Sequence, residues 1–374
     1  MEYSHGSIMS HFSSLEDPRA NNREHLLLEV ITMALCAVIC GADSWVEVEL
    51  FGRAKQSWFA TFLQLPSGIP SHDTFGRIFA KLDPQQFQAA FLSWMQGIQE
   101  LTAGQVVAID GKTVRHSYDT LSGQKAMHMV SAWASENRLV LGQVKVDEKS
   151  NEITAIPELL QLLALKGCIV TIDAMGCQKE IARQIIEQEA DYVLAVKGNQ
   201  PHLQEDLQEL FDYASESHFK EADYAKTVNK GHGRIEIRAC WTLTQPDYFR
   251  YIRHFDEWVG CRSIVMIKSE RRIGDQSSCE VRYFISSLDG SAKQTLAAVR
   301  QHWGVENGLH WKLDIAFRED ECRVRQENAA QNLVVLRHIA LNLLQQEKTT
   351  QAGTHAKRLK AGWDERYLLK LLNN

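Results

Sequence analysis

Apolar and polar positions recur with two different periods along this chain, and the change of period divides it. Up to about residue 100 the apolar positions return every three to four residues, which places them on one face of a helix. The longest apolar run, LLLEVITMALCAVICGA, predicts a helix that starts near Asp17-Pro18 and stops at Gly41. Glu29 interrupts the run, and it falls short of the ~20 residues a membrane span needs, so it reads as a buried helix. SWVEVELFGRAKQSWFATFLQL predicts a second helix. SHDTFGRIFAKL predicts a third with Ser71 as its N-cap, and PQQFQAAFLSWMQGIQEL a fourth. Residues 1–100 are therefore expected to form an all-helical N-terminal domain.

Over residues 101–200 the period shortens. VVAID, MHMVSAWAS and LVLGQVKV are rich in β-branched residues and separated by short polar breaks, which predicts three strands. EITAIPELLQLLALKG predicts a helix ending at Gly167, CIVTID a strand, CQKEIARQIIEQE a helix and DYVLAVKG a further strand. The order β-β-β-α-β-α-β is that of an α/β layer with its core on both faces of a sheet. Residues 201–290 open on a polar stretch and continue as strand-like GRIEIRACWTL, SIVMIKSERR and CEVRYFISSL, a β-rich insertion. Residues 291–374 return to helix, with AKQTLAAVRQHWGVENGLHWKLDIAF completing the layer and AKRLKAGWDERYLLK forming a basic tail.

Composition narrows the function. The chain has 374 residues, 44% hydrophobic and 24% charged, enough for a sizeable core and two or three domains. A net charge of −6 does not advertise a nucleic-acid binder, so any DNA contact must rest on local basic groups. Eight cysteines without a CxxC pair indicate neither a zinc ribbon nor a disulfide framework, and fit a reducing cytoplasm. MEYSHGSIMSHF lacks the basic-then-apolar layout of a leader.

The chemistry is carried by acids. VVAIDGKTVRHS and CIVTIDAMGC each run an apolar strand into a lone aspartate, Asp110 and Asp173. Singly, Asp110-Gly111 reads as a tight turn and Asp173 as a helix cap. Together they put two carboxylates at the carboxyl edge of one sheet, where functional groups gather if the strands are parallel neighbours. Two close carboxylates need a cation between them, and Mg²⁺ takes such hard oxygen ligands together with a substrate phosphate. Glu306 in HWGVENGLHWKLD is the candidate third acid. His302, Glu306 and His310 are spaced to share one helix face. Glu306 also fits an ordinary pairing with a histidine or lysine, and the two histidines leave a zinc site as an alternative. Glu319, Asp320 and Glu321 read as a solvated face.

Seven stretches carry a family resemblance: AIDGKTVRHSYD, DEKSNEITAIPELL, IDAMGCQKEIA, DYVLAVKGNQ, GHGRIEIR, VRYFISS and HWGVENGLHWKLDIAFRED. The chain resembles the DDE transposases of bacterial insertion sequences, in the H-repeat-associated group, over essentially its whole length. The resemblance implies an RNase H-like catalytic core, a mixed five-stranded sheet flanked by helices. It implies an Asp-Asp-Glu triad in which Asp110, Asp173 and Glu306 are the metal ligands, with Mg²⁺ as the ion and Mn²⁺ able to substitute. It also implies cleavage at element ends followed by transfer of the 3′-OH to target DNA. Related transposases carry a tyrosine and an arginine before the glutamate and a lysine after it. Here His302 stands at the arginine-like position, no tyrosine is present, and Lys312 lies close to the lysine position. Lys112, Arg115, Lys197, Asn199, Gln200, Arg234, His302 and Lys312 are the candidate DNA contacts, positioning phosphates and not reading sequence. The expected partners are double-stranded DNA, from element ends and target, and a second copy in a homodimer on DNA. The N-terminal helical domain is the expected end-binding part. Two rivals stay open: a metal-dependent nuclease without strand transfer, and a decayed element protein that binds DNA as a regulator.

Overall fold

The computed structural model describes residues 8–19, 23–98, 103–118, 123, 125–147, 150–231 and 233–373. The first seven residues of the N-terminal stretch, Asp119, Glu148, Lys149 and His232, which belong to segments named above, lie outside the described residues.

Nine strands form one sheet: β1 (Val106–Val114), β2 (Met127–Ala134), β3 (Leu139–Lys145), β4 (Ile169–Ile172), β5 (Asp191–Val196), β6 (Asp223–Gly231), β7 (Arg234–Leu243), β8 (Ser263–Ile273) and β9 (Gln276–Ser286). Their spatial order is β3-β2-β1-β4-β5-β9-β8-β7-β6. The first three strands are antiparallel to one another, whereas β1, β4 and β5 run parallel.

The sequence pattern separates the insertion from the layer; the structure joins them. β9 pairs antiparallel with β5 through Tyr283–Ser286, so β6 to β9 continue the sheet instead of forming a separate unit. A bare outer edge on β5 would leave a row of unpaired backbone groups, and β9 satisfies them. β6 was not legible in the pattern. None of its residues is buried, so it carries no apolar alternation. The polar opening of the insertion is also more ordered than expected. Pro201–Glu216 is a helix with Leu203, Leu207, Leu210 and Phe211 buried along one side.

Strand alternation sorts the core into two faces. Ile109, Ile172, Leu194 and Ile285 pack into the larger cluster with the N-terminal and C-terminal helices. Val106, Ile169, Val193, Val265 and Phe284 pack against the helix Ala292–His302 on the other face. The helix Ala329–Gln346 is buried along nearly its whole length and packs against β3 and three of the N-terminal helices. Its Asn342 accepts from Val140 N and donates to Val140 O, both at 2.9 Å, which satisfies a backbone pair on the outer edge of β3.

At the N-terminus, Ser71 accepts from Thr74 N, and Gly41 closes its helix with a left-handed φ of 119°. That helix begins at Leu27, not near Asp17. Asp17 instead holds Arg19, whose Nη2 also donates to His25 O at 2.6 Å, and this fixes a loop. The predicted second helix divides into Trp45–Ala54 and Gln56–Phe59.

Candidate active site

Asp110 is neither a turn residue nor the end of its strand. β1 continues to Val114, and Asp110 lies opposite Ser131 of β2. It emerges where the parallel partner stops, because β4 ends at Ile172, which pairs with Ile109. Asp173 follows β4 directly. Alternation therefore gives Asp110 and Asp173 the same face, the one covered by the helix Ala292–His302. Asp173 also caps: its Oδ1 accepts from Met175 N at 3.0 Å at the start of the short turn Ala174–Gly176.

The third acid arrives differently from the even helical spacing. The helix ends at His302, and Glu306–His310 forms a π-helical turn before the helix Trp311–Phe317. Such turns widen the ring of backbone hydrogen bonds by one residue and often sit at functional sites. Here the turn carries Glu306 and His310 to Asp110. His310 Nδ1 is 3.6 Å from Asp110 Oδ2 and 3.7 Å from Glu306 Oε2. Asp110, Glu306 and His310 each place one donor atom within 4.8 Å of the others. His302 is engaged by Thr171, its Nδ1 3.1 Å from Thr171 Oγ1, and it is not in the cluster formed by Asp110, Glu306 and His310, so the two histidines do not form the zinc pair their spacing allows.

Asp110, Asp173, Glu306, Lys197, Arg282 and His302 line one pocket of about 210 Å³. Its electrostatics are those of an unneutralised acid site. Burial, then the charges of Asp173 and Glu306, push the Asp110 carboxyl up to about 7. Burial and the charge of Glu152 raise Asp173. Among the described residues no lysine or arginine pairs with Asp110, Asp173 or Glu306; His310 is the one basic side chain at Asp110. Burial pushes both histidines down to about 4, aided at His310 by Lys112 and at His302 by Arg282, so both are neutral at pH 7. Asp110 and Glu306 bring carboxylate oxygens within 4.8 Å of each other, hard donors that fit a divalent cation, and Asp173 lines the same pocket.

The other expected contacts are dispersed. Lys112 is held by Asp314 at 2.8 Å, Asp320 at 3.0 Å and Glu319 at 3.2 Å, which outweigh its burial and raise its pKa. Its ammonium is occupied within the fold, and Glu319, expected on a solvated face, is buried. Arg115 is exposed, with Nε 3.1 Å from Asp320. Asn199 donates to Ala174 O and Gln200 to Cys177 O, so both brace the loop that follows Asp173. Arg234 lies at the β6–β7 hairpin beside Glu236. Lys312 has no ion pair or hydrogen bond among the described residues, and burial with nearby Arg138 lowers its pKa to about 8.

Glu152, His128 and Arg282 were not picked out from the sequence. Glu152 Oε1 and His128 Nε2 are 2.6 Å apart and lie over Gly111, where a Cβ would stand 2.1 Å from Glu152 Oε1. A Cβ at position 111 would displace that pair from beside Asp110. The signal was present: DEKSNEITAIPELL puts Glu152 directly after the cap Asn151. Arg282 shares its strand face with Phe284, and its guanidinium sits 5.0 Å from the Trp303 ring.

Known proteins resemble this chain over nearly its whole length. A model described as "Transposase DDE domain" matches residues 102–343, and one described as "DDE_Tnp_1-associated" matches residues 9–95. YhhI, an H repeat-associated protein of Escherichia coli (strain K12) that bears a transposase name, is 41% identical over 98% of this chain and 97% of its own length. YncI of Escherichia coli O157:H7 is 41% identical over 98% of this chain and 94% of its own length. A solved piggyBac transposase in a synaptic complex with hairpin DNA aligns over 97% of this chain and 77% of its own, with 11% identity and a TM-score of 0.45. The domain match and the near full-length relatives identify the chain: it belongs to the DDE transposase family, in the H repeat-associated group.

Proposed function

We propose that this protein is a DNA transposase that cuts phosphodiester bonds at insertion-element ends and transfers the 3′-OH to target DNA. One observation carries the reading. Two acids from neighbouring parallel strands and one from a π-helical turn converge on a single pocket, with no lysine or arginine paired to them among the described residues. An Asp110 carboxyl held near 7 by burial and by the charges of Asp173 and Glu306 fits a site that takes up a cation.

Asp110, Asp173 and Glu306 hold the divalent cations of this reading. Bound there, Mg²⁺, or Mn²⁺ in its place, would activate the attacking oxygen and neutralise the leaving 3′ oxygen of an in-line displacement. In the first reaction water attacks phosphorus and the bond to the 3′ oxygen breaks, leaving a 3′-OH and a 5′-phosphate. In the second, that 3′-OH attacks a target phosphodiester and the target's own 3′ oxygen leaves. Lys197 and Arg282 put positive charge on the pocket wall, and Lys312 has no anion partner of its own; all three suit backbone phosphates. Neutral His302 offers a hydrogen bond where related transposases offer an arginine's charge.

The sheet supports the same reading. The order β3-β2-β1-β4-β5 with two antiparallel and two parallel pairings fits the RNase H-like reading, with β6 to β9 as its insertion. Residues 1–100 serve end recognition, and two copies pair on DNA in the cytoplasm. The test is purified protein with Mg²⁺ and DNA carrying the element's ends, with Asp173→Ala alongside. Cleavage with end joining, lost in the variant, is the expected result. Cleavage without joining makes the protein a nuclease, and equal activity in Asp173→Ala overturns the assignment of that acid. DNA binding without cleavage by either protein makes it a regulator.

A further inference from the structure

His310 belongs to none of the roles above, yet it is the most constrained polar side chain at the site. It is 5% exposed, and its Nε2 is buried with no hydrogen-bond partner. Its Nδ1 faces two carboxylates, Asp110 at 3.6 Å and Glu306 at 3.7 Å. Both separations exceed a hydrogen bond. A buried imidazole with neither nitrogen bonded has forfeited what water would give it. If Nδ1 carries its lone pair, that pair points at two carboxylates, and a cation between them would relieve the repulsion. Asp110, Glu306 and His310 already place one donor atom each within 4.8 Å of one another, on three sides of the same small space. The π-helical turn is what brings this about, since it sets Glu306 and His310 side by side against β1.

We infer that His310 is itself a metal ligand, so that one cation is held by Asp110, Glu306 and His310 in a mixed nitrogen–oxygen set. This rests on the proposed metal-dependent reading of the pocket and adds a consequence that three acids alone do not carry. Mg²⁺ favours all-oxygen surroundings, whereas an imidazole nitrogen favours transition ions of the Mn²⁺ to Zn²⁺ series. The site should therefore hold Mn²⁺ more tightly than Mg²⁺ while still admitting either ion. Of the two histidines whose spacing left a zinc site open, His310 lies beside the acids and His302 beside Thr171.

The test is made on the full chain with Mn²⁺ as the probe, by pulsed paramagnetic resonance, which reads nitrogen bonded to manganese. The protein is prepared with ordinary and with ¹⁵N-labelled histidine. The expected result is an imidazole nitrogen coupling that changes isotope with the label and is absent from His310→Gln. Mn²⁺ affinity in that variant should fall by about 10–100-fold, and most of the preference for Mn²⁺ over Mg²⁺ should go with it. His310→Asp keeps an oxygen donor in the same place, so it should retain Mn²⁺ while losing the nitrogen signal. Wild-type protein that binds Mn²⁺ through Asp110 without a histidine coupling overturns the inference and leaves the three-acid reading standing. A coupling that survives in His310→Gln overturns it too, by moving the ligand to another histidine. Binding no better than that of Asp110→Asn removes both the inference and the reading beneath it. The labelled wild type decides whether any histidine binds, and His310→Asp assigns the nitrogen if His310→Gln does not fold.

Discussion

Without a bound cation, Asp110 should weaken the protein that depends on it. Its carboxyl titrates near 7 in the folded chain against 3.8 ordinarily, through burial first and then the charges of Asp173 and Glu306. The native state thus binds an extra proton between those two values, so stability falls as pH rises from about 4 to 7 and stays reduced above it. Three units at about 1.36 kcal/mol each make the penalty about 4 kcal/mol at pH 8. Asp110→Asn removes the charge and keeps nearly the same shape. Unfolding entropy of about 2.1 cal/mol/K per residue gives about 0.8 kcal/mol/K for a chain of 374 residues, so the variant should melt about 5 °C higher. The assay is scanning calorimetry in EDTA at pH 8 and again at pH 5.5, where the gap should shrink to about half. Adding Mn²⁺ should close it from the other side, by raising the wild type alone. A variant that melts at or below the wild type at pH 8, or a gap that widens toward pH 5.5, would refute the reasoning.

Three further outcomes follow from the same geometry. Lys112→Met leaves buried Glu319 without its lysine, and breaking such a pair costs about 3–5 kcal/mol, a fall of about 4–6 °C in the same calorimeter. Gly111→Ala forces a Cβ into the Glu152–His128 pair, and cleavage of element-end DNA should drop by about 10–100-fold while the chain still binds that DNA. Glu306→Gln should abolish cleavage while changing stability by no more than about 0.5 kcal/mol, because that side chain is 56% exposed; a melting curve and a nicking assay on one preparation check both.

Much of the layer was legible because its strands are buried on both faces and announce themselves as apolar runs. The order through β5 follows from those runs and the short polar breaks between them. β6 failed for the opposite reason: an edge strand of exposed residues carries no periodic signal. Asp110 and Asp173 were visible as charges closing apolar runs, although Asp110 lies within its strand and only β4 stops. The Glu306 segment read as an even helix, since a π-helical turn changes one hydrogen-bond step and leaves no mark on spacing. That step decides which histidine reaches the acids. The basic groups were the least legible. A lysine two residues from a candidate acid resembles a phosphate contact until Asp314, Glu319 and Asp320 are brought to it from 200 positions away in the chain.

That misreading points to how the site keeps its charge. Lys112 lies two residues beyond Asp110 and would be the natural counter-ion for it, yet three other carboxylates occupy it. Arg282 lines the pocket, but Glu280 takes its Nε and Nη2 at 2.8 Å each. His310 stands at Asp110 and is kept neutral by burial, with Lys112 adding to the effect. Lys112 and Arg282 are thus engaged by other acids and His310 is discharged, while Lys197 acts on Asp173 from the pocket wall without an ion pair among the described residues. The cage around Lys112 therefore has two results. It ties β1 to the segment after the π-helical turn, which fixes Glu306 and His310 against Asp110. It also keeps the lysine two residues from Asp110 away from that carboxylate, leaving the place beside it for an ion from solution.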